Sequence, residues 1–263
     1  MTYEPTQKVN PYRLTAKQHT FPKTSIARFA GKKGNVDLFL KVAHKAIRVK
    51  PSNELFCAAR VWDHQAETGF MKQIEDKFQA LAGRILDDGL VSFCEAEITI
   101  MNEFYCLWNI RAIHKQNRVK DQAIDQKNVV GLFRVYTKDE QEYLEQQGIS
   151  TIREDYTIAG RFLASPNIKL ELVRTASAMG GFNWNILCAE EGEFIVPDNA
   201  KRMPIVPLSP TVCLRYGSTK PPKPLERLKI EEVARVNRAA IDASHDYYFA
   251  RDLSLCPGEG SFG

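Results

Sequence analysis

The sequence predicts a single α+β domain: a mostly helical centre, built on an antiparallel αα-hairpin, packed against small antiparallel β-hairpins. Three observations predict it. Between 88 and 116, Val91, Cys94, Ile98, Met101, Tyr105, Trp108 and Ala112 recur at steps of three and four, the spacing of one helix face. A second stripe, Met71, Ile74, Phe78, Leu81 and Ile85, predicts a helix over about 66–86, joined to the first by a tight Asp87-Asp88-Gly89 turn. Short alternating runs bounded by Gly and Pro lie on both sides of this centre.

Taken in order, residues 1–16 read as a flexible lead-in, 17–252 as the domain and 253–263 as a frayed tail. Pro22 pushes Phe21 toward extended geometry, and Thr24 or Ser25 can cap a short helical turn that ends at Gly31. Val36, Leu38, Leu40 and Val42 alternate as a strand, and 46–50 returns as its hairpin partner with His44 at the tip. Residues 52–65 are irregular, with Phe56 and Trp62 as anchors. Thr137 and Glu140 form a capping box for a helix ending at Gly148, and a further helix after Arg153 is expected to break near Pro166. Residues 182–188 and 193–196 flank a Glu-Glu-Gly turn and read as a β-hairpin. A strand over 211–216, a proline-rich loop or lid at 218–224, a helix over 230–244 and a closing strand at 247–249 complete the domain.

The central helix is apolar over more than half its circumference, so it reads as a core helix; no run reaches the ~18 uncharged apolar residues of a membrane span. Glu97 and Arg111 fall inside the apolar arc, too far apart to pair with each other, and each needs a partner from elsewhere. They are either structural ion pairs or groups facing a polar cleft. His114 reads as a solvated histidine near the helix end, and Glu75 as a surface glutamate or a cleft carboxylate. The six cysteines are widely and irregularly spaced, with no zinc spacing. The N-terminal MTYEPTQKVNPYRL lacks a signal peptide's apolar core, so reduced thiols in the cytoplasm are the expectation.

Net charge is +4, unevenly placed: residues 1–50 hold eleven Lys/Arg against Glu4 and Asp37, a local +9, and the remainder sums to −5. That favours a phosphate-rich partner such as nucleic acid, met by Lys32, Lys33, Lys45 and Arg48, or else is a solvated surface.

Several pieces in shared order resemble a widespread bacterial family of unknown function. Its His-x-x-Pro-x-x-x-Leu-x-x-Phe opening is met by His19, Pro22, Ile26 and Phe29; helix residues Glu75 and Arg111 match its glutamate and arginine. Trp184, Phe194-Ile195, Asp198-Asn199, the Pro-Leu-Ser-Pro at 207–210 and Asn237 continue the match over about 18–250. Two positions depart: the family serine is Pro197 here and the following proline is Ala200.

The polar residues at the matched positions are His19, Glu75, Arg111, Asp198, Asn199 and Asn237, and several of them are expected to converge on one cleft. His19 would be a general acid or base, Asp198 would orient it or hold Mg²⁺ or Mn²⁺, and Arg111 would clamp a phosphate. That constellation suits a phosphoester-directed hydrolase of the nuclease type, in a defence or toxin setting. Equally, His19 could bond a backbone carbonyl, Asp198-Asn199 could form an Asx-turn, and Arg111 could neutralise Glu75 or Asp198. The competing class is a non-catalytic module that binds nucleic acid or a protein partner. No Walker loop, G-x-G-x-x-G, H-E-x-x-H, G-x-S-x-G or EF-hand is present, and Pro197-Asp198 lacks the second acid of a metal-dependent nuclease core.

Overall fold

The computed structural model describes residues 3–125, 134–200, 203–218 and 225–258. In chain order these form β1 (Lys17–His19), α1 (Lys23–Ala27), the hairpin β2 (Val36–Leu40) and β3 (Lys45–Val49), β4 (Cys57–Ala59) and α2 (His64–Ala66). A π-helical turn, Glu67–Met71, leads into α3 (Lys72–Leu86), followed by α4 (Glu95–Gln116), β5 (Gln122–Ala123), α5 (Lys138–Gln146), β6 (Thr157–Ile158) and α6 (Gly160–Ala178). Then come β7 (Asn183–Ala189), β8 (Val196–Pro197), β9 (Ile205–Ser209), β10 (Val212–Ser218), β11 (Glu226–Leu228), α7 (Ile230–Ala243) and β12 (Tyr247–Ala250). The fold class is α+β as expected.

Two four-stranded sheets flank the helices, in the orders β3-β2-β12-β8 and β11-β7-β10-β9; the second is mixed because β11 runs parallel to β7. Strand β12 is buried along its whole length. Its side chains alternate, so Tyr247 and Phe249 join the main core with Phe21, Phe29 and Phe56, while Tyr248 and Ala250 join a second core against Val233 and Ala240 of α7. Both faces of the sheet are therefore covered at β12, while β3 leaves Lys45, Ala46 and Arg48 exposed. Phe56 and Trp62 are the anchors their isolation predicted, each fully buried.

Helix α4 runs through the centre and packs on α3 and α6, as its nearly all-round apolar surface requires. It begins later than the periodicity predicts. Gly89 adopts φ 69°, which lets the Leu90 amide bond back to the Arg84 carbonyl at 3.1 Å. The chain then stays extended until Glu97 caps the helix by accepting the Cys94 amide at 2.8 Å. Glu97 also takes Arg84 Nη1 at 2.6 Å, so this intruder in the apolar arc is a cap and an ion pair. His114, expected in solvent, is buried by α6, with Nε2 3.5 Å from Glu171.

Other corrections are local. Helix α1 starts at Lys23 after Pro22, with no side-chain cap from Thr24 or Ser25. Val42 lies in the hairpin turn, 88% exposed, rather than on the strand. Helix α6 runs through Pro166 without a break. It opens at Gly160, where a Cβ would come within 2.0 Å of the Val119 carbonyl oxygen. Residues 182–188 and 193–196 do not form a hairpin: β7 pairs with β10 and β11, while β8 pairs with β12. The reason is Asn237. Its side chain accepts the Ile195 amide at 2.9 Å and donates to the carbonyls of Glu193 at 2.8 Å and Pro257 at 2.9 Å, replacing a strand ladder.

The described residues near both ends are tied down. Leu14 is buried, the Gln7 amide bonds Glu142, and Glu4 is held by three cations. The tail makes a helical turn at Leu253–Leu255 with Leu253 and Cys256 buried; residues 259–263 lie outside the described residues, as does the proline-rich stretch from 219 to 224. No helix among the described residues is long and apolar enough to cross a membrane.

Candidate active site

Three of the matched polar residues meet. Arg111, on α4 and almost fully buried, donates Nη1 to the Glu75 carboxylate on α3 and to the His19 backbone carbonyl at 3.2 Å. Its Nη2 reaches Glu67 at 3.2 Å, and its guanidinium stands 5.4 Å from the Trp62 ring. Glu67 accepts the Trp62 indole N–H at 2.6 Å. Both terminal nitrogens of the guanidinium are thus taken up by protein groups, while Nε is buried without a partner among the described residues. Burial opposes its charge, but Glu75 and Glu67 keep it protonated. Arg111 fixes the two carboxylates and the end of β1, and it has no free face for the phosphate it was expected to clamp.

In front of this cluster lies a cleft of about 310 Å³ lined by His19, Glu67 and Glu75, with Lys23, Lys72 and Asp76 among its polar neighbours. Lys72 is paired with Asp76 at 2.6 Å. Burial, joined by the charges of Lys23 and Arg111, lowers the His19 pKa from its ordinary 6.5, against the Pro51 bond and Glu75. Burial also raises Glu75 above 4.5; the nearby Glu67 adds to this and Arg111 opposes it without prevailing. A histidine pushed down and a glutamate pushed up place two oppositely shifted proton carriers in one cleft. The His19 ring places Nε2 3.2 Å from the Pro51 carbonyl and Nδ1 3.7 Å from Cys57 Sγ.

Glu67 and Cys57 were not singled out by sequence reasoning. In a regular helix, eight residues put Glu67 about 80° away from Glu75. The chain kinks at Gly69 (φ −95°, ψ −111°), which breaks that regular phase, and Glu67 and Glu75 both reach Arg111. Gly69, where the helix departs from regular dihedrals, is the only trace of this in the sequence.

The other candidates lie elsewhere. Asp198 is buried at the end of β8, outside the lining of the His19 cleft. Its Oδ1 accepts the His245 amide at 2.7 Å, and Oδ2 accepts those of Asp246 at 2.7 Å and Tyr247 at 3.3 Å. This is a turn-capping carboxylate, and Mg²⁺ or Mn²⁺ would have to displace three amides to reach it. Asp198→Ala is expected to lose about 1–3 kcal/mol in urea titration, and Asp198→Asn, which keeps an acceptor, less. Equal losses would mean that the amides find other partners. Asn199 is half-buried beside it. Asn237 is fully buried in the backbone bridge already described, so it is a scaffold residue rather than a substrate contact. Lys32, Lys33 and Arg48 line a separate cavity of about 610 Å³ with Arg251. Lys45 sits at the far end of the hairpin, opposite Leu40.

No family model matches this chain, and neither a curated protein nor a solved structure matches it significantly. No group of three or more His, Cys, Asp or Glu among the described residues has a metal-holding arrangement.

Proposed function

We propose that this chain is a phosphoester-directed hydrolase of the nuclease type, acting on nucleic acid or a nucleotide, with His19 and Glu75 as its proton-transfer pair. The observation that carries the reading is their shared cleft, where burial shifts the two in opposite directions. One group takes the proton of the attacking hydroxyl or water while the other protonates the departing oxygen. Lys23, at the same cleft, offsets the charge that grows on the phosphoryl oxygens. Arg111 acts as a positioning residue, through Glu75 and the carbonyl of His19.

Cleavage of end-labelled RNA or DNA is expected to fall about 10²–10⁴-fold in His19→Ala and in Glu75→Gln. Glu75→Gln keeps an acceptor for Arg111 but not its charge, so its activity is read at a temperature where circular dichroism shows the variant folded. The pH profile follows from the two shifts. Activity needs one group protonated and the other not, and the two affinities move toward each other from 6.5 and 4.5. The rate should therefore pass through a maximum and fall on both the acid and the alkaline side, whichever group starts with the proton. A plateau extending above pH 8 would sink this pair as the acid and base.

The cavity with Lys32, Lys33, Arg48 and Arg251 favours a second reading, a non-catalytic nucleic-acid-binding module. Substrates that shift on a native gel in a salt-dependent manner but stay intact, with Lys32→Ala weakening the shift, would select it.

A further inference from the structure

Glu4 lines a cavity of about 650 Å³ together with Arg60, Arg118, Lys120, Arg153 and Arg161. Its carboxylate bonds Arg153 at 2.6 Å, Arg161 at 2.5 Å, and Lys138. Burial would raise its carboxyl, but the charge of Arg161 and the bonds from Lys138, Arg153 and Arg161 hold it far below 4.5. The residue belongs to a segment laid over the surface, tied down downstream by Gln7 on Glu142 at 2.8 Å, Tyr12 on Asp139 at 2.8 Å and buried Leu14.

The charges do not cancel. Arg60, Arg118, Lys120, Lys138, Arg153 and Arg161 face Glu4, Asp121, Glu142 and Glu145, a surplus of two positive charges. Arg118 contributes to that surplus most directly. It donates to the Ala59 carbonyl at 2.5 Å and stands 5.9 Å from the Tyr3 ring, with no carboxylate on it among the described residues. Guanidinium groups lining one cavity recognise phosphate, whose dianion matches the surplus as a single carboxylate does not. The cavity volume falls within the range of small-ligand sites.

We propose that this cavity binds a phosphate-bearing small molecule of nucleotide size, and that Glu4 occupies its anion position as an internal competitor. The N-terminal segment is then a built-in stand-in for the ligand, and removing its charge opens the site. This goes beyond the hydrolytic reading and does not depend on it, because no residue lining the His19 cleft lines this cavity.

The test is calorimetric titration of the full chain at low salt with inorganic pyrophosphate, with AMP, and with adenosine as the uncharged control. Pyrophosphate and AMP should bind and adenosine should not. Glu4→Gln should tighten both anions about tenfold, the worth of one charge-assisted contact, and Arg118→Met should weaken them by a similar factor. Arg118 lines this cavity and not the His19 cleft, so weakening by Arg118→Met separates the two sites. Near-UV circular dichroism checks that each variant is folded; Arg118→Met reads the same cavity independently should Glu4→Gln fail to fold. The proposal is overturned by no anion binding in wild type and Glu4→Gln alike, by binding that Glu4→Gln leaves unchanged or weakens, or by binding indifferent to Arg118→Met.

Discussion

Glu145→Ala is expected to remove about 3–5 kcal/mol of unfolding free energy, a large share of the ~5–15 kcal/mol that holds an ordinary domain together. Glu145 is 2% exposed and accepts Arg60 Nη2 at 2.5 Å and Arg161 at 2.9 and 3.1 Å. Without it, two buried guanidinium groups face each other. Arg161 keeps Glu4, but Arg60 keeps only the Glu4 carbonyl at 3.2 Å. The loss is in leaving charge buried and uncompensated, more than in the net worth of the pairs. Replacing all three partners at once, Arg60→Met, Glu145→Leu and Arg161→Met, should therefore recover most of it. Urea midpoints of the single and triple variants decide the matter. A single-variant loss under about 1 kcal/mol would show that water reaches this network.

Arg111→Met should be comparably severe, again about 3–5 kcal/mol, because it leaves Glu75 and Glu67 without their cation. Its loss should also depend on pH. Glu75 already titrates above 4.5 in the folded chain because burial disfavours its anion, and Arg111 limits that rise. Removing Arg111 raises Glu75 further. The folded state then holds a proton that the unfolded chain has released, so stability falls as pH climbs from 4.5 through the new folded value, and levels off above it. The variant's deficit should be larger at pH 8 than at pH 5. A deficit equal at both would mean that Glu75 is as well solvated as in the unfolded chain.

These two clusters show what was legible in the sequence and what was not. The αα-hairpin, the β2–β3 hairpin, the capping box at Thr137 and the anchors Phe56 and Trp62 were legible because periodicity and turn chemistry are local. Arg111 stood out as a charge in an apolar arc, and Glu75 is its partner, one of the pairings the sequence left open. Glu67 was hidden because the kink at Gly69 breaks the helical phase between it and Glu75. Asp198 and Asn237 read as site residues because buried polar groups at matched positions carry no mark of their partners, which here are backbone amides and carbonyls. The packing of Glu4 against Arg161 joins positions 157 apart, and no local pattern announces such a contact.

The placement of β12 between β2 and β8 has a consequence for synthesis. Tyr247 pairs with Leu40, 207 positions earlier, so the β2–β3 hairpin leaves the ribosome with one edge unpaired. At ~5–20 residues per second it waits roughly 10–40 s for its central neighbour. Throughout that interval Leu38 and Phe39 have no sheet partner on that edge, and both cores lack the strand that separates them. That edge therefore stays unpaired until the closing strand emerges, and the sheet is completed late in synthesis.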